Sequence, residues 1–160
     1  MKFLRKHWPW LAVAAWYGLI FLFSAQTGEA SGEVSDRLAF DLLRWDVDNP
    51  WVLSEVQYAF FQLVTYLLRK AAHMGVFFVL TALLLRALRD PLPPPLRRAA
   101  AAAGLCGVLA ALDELHQYFV PGRSCQLQDV IIDLLGGVLC AVCYLLLHYI
   151  RRRRRLKKAQ

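Results

Sequence analysis

LDELHQYFVPGRSCQLQDVIIDLLGG (Leu112–Gly137) separates two apolar runs, Ala99–Leu112 and Val130–Ile150. Pro121-Gly122 at its centre is a tight-turn signal. Two apolar runs flanking a short polar turn read as a pair of antiparallel helices, each of spanning length. Asp113 and Gln117 are spaced i,i+4, as are Asp129 and Asp133, so each pair shares one helix face. With Glu114, His116 and Arg123 they form a dense ionisable cluster beside apolar spans. Charge in or next to a bilayer is expensive, which makes the cluster a functional candidate by default.

The rest of the chain fits a membrane setting. Its 160 residues are 58% hydrophobic, and mean hydropathy is +0.39, too apolar for an ordinary soluble domain. That length accommodates about four helices of roughly 20 apolar residues. Spans are predicted near 8–25, 67–88, 96–119 and 129–150, in one membrane domain covering 1–160 with a basic tail at 151–160. The fold class is therefore all-α, a polytopic bundle of four transmembrane helices. Trp8, Trp10, Trp16 and Tyr17 suit an aromatic belt. Their density, and the lack of an A-x-A site, favour a retained first span over a cleaved signal peptide.

Charge sets the orientation. Net charge is +7, concentrated in Lys2–Lys6, Arg86–Arg98 and the Arg151–Lys158 run. Such flanks mark the cytoplasmic side, so both termini are placed there. The RRRRR run abuts a span and lacks an aromatic stacking platform, which argues against a nucleic-acid partner. Thr27–Ser54 is net acidic and is assigned to the outer side. Within it, Ser35–Arg44 has the spacing of a short surface helix, and Trp45–Trp51 reads as a turn. Trp51–Leu68, interrupted by Glu55, Gln57 and Gln62, reads as an interfacial helix leading into the second span. Asp90-Pro-Leu-Pro-Pro-Pro is a rigid inner turn. Ala99–Gly107 and Gly136-Gly137 suit close helix packing.

This topology collects polar groups from distant segments just below the outer surface. They are Ser24 and Gln26 from span one, Lys70 and His73 from span two, Asp113, Glu114 and Gln117 from span three, Arg123 from the loop, and Asp129 and Asp133 from span four. Each also has a purely structural reading. Asp129 serves as a helix cap. Lys70 pairs with Asp113 or Asp133 to fix packing. Arg123 meets headgroup phosphates, and His116 lies off the Asp113–Gln117 face at the interface. Cys106, Cys140 and Cys143 read as small packing residues. The spacing of acids and histidines matches no dedicated metal motif, so neither a metal nor a cofactor is expected.

The same residues resemble the VanZ-like family of small bacterial membrane proteins. The resemblance rests on Phe23-Ser24-Ala25-Gln26, Lys70-x-x-His73, Asp113-Glu114-x-x-Gln117 with Phe119-x-Pro-Gly-Arg123, and Asp129-x-x-x-Asp133-x-x-Gly136, in that order. Asp133 departs from the pattern, where Asn is more usual. The resemblance implies a multi-pass protein of the bacterial cell membrane, associated with lowered susceptibility to teicoplanin, with its polar cluster facing the cell envelope. It implies no settled reaction.

Two function classes stand open. One is a pocket that binds a membrane lipid, a lipid-linked cell-wall precursor or a lipoglycopeptide. There Lys70 and Arg123 take phosphate or carboxylate, and the acids orient them or take an amine. The other is an intramembrane enzyme on a lipid-linked substrate, with Glu114 and His73 as acid and base. A small proton-coupled transporter would use the same carboxylates.

Overall fold

The computed structural model describes residues 2–43 and 55–158, with side chains from residue 7 onward. All regular structure among these residues is helical. In chain order the helices are α1 (Lys2–Ser24), α2 (Gly28–Leu43), α3 (Glu55–Ala87), α4 (Pro95–Gln117) and α5 (Leu127–Lys158). Three of them, α3, α4 and α5, are long and apolar enough to cross a membrane. The segment His7–Ser24 meets that test only together with α2, from which it is bent by 98°. Three to four candidate spans therefore stand where four were expected.

Several boundaries differ from the sequence reading. The surface helix expected at 35–44 begins at Gly28, because the Thr27 hydroxyl accepts the Ala30 N–H and starts the helix earlier. The interfacial helix and second span expected as separate pieces are one helix, α3. At 1.5 Å per residue it is about 50 Å long, well over the roughly 30 Å hydrocarbon core. Glu55, Gln57 and Gln62 do not break it; they occupy exposed positions on its first turns. The basic tail continues α5 in helical form to Lys158, since Arg and Lys are good helix formers and suit a helix C-terminus. The turn assigned to Trp45–Trp51 lies outside the described residues.

Centrally placed, α3 meets each of the other four helices, while α1 and α5 do not touch one another. The core forms along that centre: Phe77, Leu80 and Leu84 of α3 pack with Ala102, Cys106 and Ala110 of α4 and with Cys140 and Ala141 of α5. In a bilayer such association rests on close packing rather than on exclusion of water. Gly136 is what lets α5 approach α3. A Cβ there would overlap the Met74 backbone carbonyl, and one at Gly137 would come within 2.9 Å of Thr81 Oγ1. Midway along α1, Trp16 Nε1 donates to the Val76 carbonyl (2.9 Å) and the Tyr17 hydroxyl to the Leu109 carbonyl (3.1 Å). On α3's first half lies α2, with Phe40 against Phe61 at 4.4 Å between ring centroids.

Candidate functional site

One end of the bundle gathers the last turn of α1, the middle of α3, the last turns of α4 and the first turns of α5. The α4–α5 turn closes it. After α4, Tyr118, Phe119 and Val120 donate their N–H groups back to Glu114, His116 and Gln117 carbonyls, and Gly122 takes φ 73. Only a residue without a Cβ adopts that conformation at no steric cost. The turn then carries the start of α2, whose Gly28 N–H donates to the Pro121 carbonyl at 3.3 Å.

The first polar group is a chain of hydrogen bonds across α1, α4 and the turn. Ser24 Oγ donates to Asp113 Oδ2 at 2.8 Å, and Gln117 Nε2 donates to the same oxygen at 2.9 Å. Arg123 Nη1 in turn donates to Gln117 Oε1 at 2.9 Å. Its Nε reaches the Gln26 carbonyl (2.9 Å), and Nη2 the Phe23 carbonyl (3.5 Å). Arg123 therefore clamps the open C-terminal end of α1, where carbonyls lack helical partners. Burial pushes its guanidinium below the ordinary arginine value. The nearby Arg69 charge acts in the same direction, and Asp113, Glu114 and Asp129 oppose both. Arginine nonetheless stays cationic in proteins.

The second group joins α3 to α5. Lys70 Nζ pairs with Asp129 Oδ1, and His73 Nδ1 lies 3.5 Å from Asp133 Oδ1. The Lys–Asp partner thus differs from both sequence expectations. Asp113 is reached by α1 instead, and Asp133 lies one turn deeper, opposite His73. Asp129 sits in the first turn of α5, where its charge also faces the positive helix end. Glu114 Oε2 accepts the Gln126 N–H at 3.0 Å just ahead of α5, so α4 supplies part of that helix's cap. His116 stacks on Phe21, with 3.9 Å between ring centroids.

Asp113, Glu114 and Asp133 are fully buried, at 0% exposure. Asp113 Oδ1, Glu114 Oε1 and both Asp133 oxygens have no hydrogen-bond donor. Such atoms cost about 1–3 kcal/mol each when left unpaired in a protein interior.

Beside the chain of hydrogen bonds opens a cavity of about 640 Å³, bounded by α1, α2 and α3. Its walls are largely apolar, including Leu19, Phe23, Val34, Leu38 and Leu68. Its polar end carries Ser24, Gln26, Arg69, His73 and Arg123, with Asp113 as floor. Five of the ten sequence-predicted site residues, Ser24, Gln26, His73, Asp113 and Arg123, therefore meet there. Lys70, Glu114, Gln117, Asp129 and Asp133 stand behind or beside it, and only Gln117 and Asp133 touch lining residues directly among the contacts above. Arg69, not counted among the expected site residues, lines the cavity, and its buried Nε has no hydrogen-bond partner. Its position one residue before Lys70 on the predicted outer half of a span was the available signal. Nothing in the spacing of α2 pointed to a cavity wall.

A helical bundle of spanning length, with buried carboxylates and a largely apolar cavity at one end, fits the class of integral membrane proteins. The VanZ/LLP1 family model matches residues 9–148, and the chain belongs to that family. No curated protein and no solved structure matches it.

Proposed function

We propose that this VanZ-family protein binds an amphiphile of the bacterial cell envelope in the cavity between α1, α2 and α3. In this reading α1, α3, α4 and α5 cross the cell membrane, both termini are cytoplasmic, and the cavity opens in the outer leaflet. The observation that carries it is the division of one cavity into an apolar wall and a cationic end. The volume, about 640 Å³, is within the range of small-molecule sites. Arg69 and Arg123 supply the charge-assisted donors for a phosphate or carboxylate headgroup. Arg123 is already committed to Gln117 and to α1 carbonyls, so Arg69 is the free hand. Leu19, Phe23 and Leu38 take the chain. Holding a lipid-linked cell-wall precursor or a lipoglycopeptide there lowers susceptibility to teicoplanin-type antibiotics.

One observation favours a second reading. His73 lines the cavity with Asp133 behind it at 3.5 Å, the arrangement of a base oriented by a carboxylate. An intramembrane acid–base enzyme would use His73, while Glu114 is turned toward Gln126 and away from the cavity.

The test uses the full chain in nanodiscs with a polyprenyl phosphate, scored by native mass spectrometry, alongside teicoplanin susceptibility in an expressing strain. Arg69→Gln is expected to weaken retention about tenfold, the worth of one charge-assisted hydrogen bond. His73→Gln retains the lipid in the binding reading, and leaves an unconverted envelope lipid to accumulate in the enzyme reading. Wild-type retention and susceptibility in both variants would overturn the two readings together.

A further inference from the structure

The opposite end of the bundle has a groove of its own, of about 790 Å³. It lies between the last turns of α3 and the end of α5. Its floor is apolar, with Phe78, Ala82, Leu85 and Leu147. Its rim is made of Arg86, Arg89, Arg98, Arg151, Arg152 and Arg155. These six come from three separate segments of sequence, and no acid lines the groove. Asp90 is the one acid among the described residues of this end, and it forms no ion pair.

The arginines are not equivalent. Arg98 is spent on structure: Nε donates to the Leu92 carbonyl, Nη2 to the Arg89 and Pro93 carbonyls, and Nη1 to the Tyr144 hydroxyl. It closes the proline-rich turn between α3 and α4. Arg86 lies over the Trp8 ring, 5.7 Å from its centroid. Arg89, Arg152 and Arg155 are exposed and form no ion pair. A run of like charges is ordinarily a solvated flank that holds a span in register. Here a flank alone does not account for the shape, because Arg97, Arg153 and Arg154 carry the same charge on the same segments and do not line the groove.

We propose that this groove is a binding site for an anionic membrane lipid of the leaflet at the basic end. Its phosphate headgroup is held by Arg89, Arg152 and Arg155, and an acyl chain lies along Phe78, Ala82 and Leu147. Charge selects the headgroup, since six guanidinium groups face no carboxylate. The floor selects a lipid over a free phosphate, because an inorganic anion gains nothing from a lining of Phe, Ala and Leu. Basic pockets between transmembrane helices are a recurrent form of lipid headgroup site. The site is independent of whatever occupies the cavity at the far end.

The non-lining arginines give a control matched in charge. Full-length protein in nanodiscs of phosphatidylcholine, doped with phosphatidylglycerol or cardiolipin, is scored by native mass spectrometry for retained lipid. The triple variant Arg89→Gln, Arg152→Gln, Arg155→Gln is expected to lose anionic lipid at least about tenfold more than the triple variant Arg97→Gln, Arg153→Gln, Arg154→Gln. Ala82→Trp, at an exposed floor position with every charge intact, is expected to lose the lipid as well. Glycerol phosphate is not expected to compete at concentrations that leave the bilayer intact. Equal losses in the two triple variants, or full retention in Ala82→Trp, would reduce the groove to a diffuse positive surface and overturn the site. Competition by glycerol phosphate at lipid-like concentrations would overturn the lipid as its ligand.

Discussion

Asp129 and Lys70 show how much a single residue's meaning depends on its partner. Each is about one-sixth exposed, with side-chain accessibilities of 17% and 14%. Removing one partner leaves the other largely buried and alone, which costs more than the pair is worth. Lys70→Met is therefore expected to lower thermal stability in detergent, and Asp129→Leu added to it to restore most of the loss. A thermal-melt double-mutant cycle measures this. Additive losses would mean that the two side chains do not act as a pair. Asp133 is a different case. It is completely buried, with His73 Nδ1 3.5 Å from Oδ1 and no hydrogen bond to either oxygen. Such an atom costs stability unless something offsets it, and functional sites are where proteins tolerate that cost.

At the scale of the helix, contact distance decides more than composition. The sequence contains several small residues suited to close packing, yet they do different work. Ala102, Cys106 and Ala110 are fully buried on the inner face of α4. Gly104, in the same segment, would meet nothing if it carried a Cβ. Gly136 is the demanding one, because the Met74 backbone leaves no room and backbone cannot rotate aside. Gly136→Ala is expected to separate α3 from α5 and cost about 1–3 kcal/mol, the usual penalty for overpacking. Gly104→Ala is expected to be neutral or mildly stabilising through helix propensity. Paired melting curves in the same detergent compare them, and a larger loss at Gly104 would contradict this packing. Displacing α5 would also pull Asp129 and Asp133 away from Lys70 and His73, so Gly136→Ala should impair the site as well.

For the whole molecule the governing feature is its polarity. One end holds the buried acids and the cavity; the other holds the basic groove and the Arg-rich end of α5. If these lie at opposite membrane faces, reagents added from outside reach only the first. Cys125, exposed in the α4–α5 turn, is expected to react in whole cells with a membrane-impermeant maleimide, while Cys106 and Cys140 are buried. Arg154→Cys in a Cys125→Ser background should label only after permeabilisation. Labelling of both positions in intact cells would place the two ends on one side and refute the four-span reading.

Much of this was legible in the chain. Apolar run length, the Pro-Gly turn and the placement of Arg and Lys predicted helices, their approximate limits and the end at which polar residues gather, because bilayer thickness and charge cost act locally along the sequence. The VanZ motifs were legible for the same reason. Other features were settled by tertiary packing. These include the merging of two expected helices into α3, the 98° bend before α2, and the choice of Asp129 over Asp113 and Asp133 for Lys70. The cavity walls and the role of Arg69 belong with them. Each depends on how far one helix is rotated and translated against another. Spacing along one helix determines a shared face, and only the packed neighbours determine what that face meets.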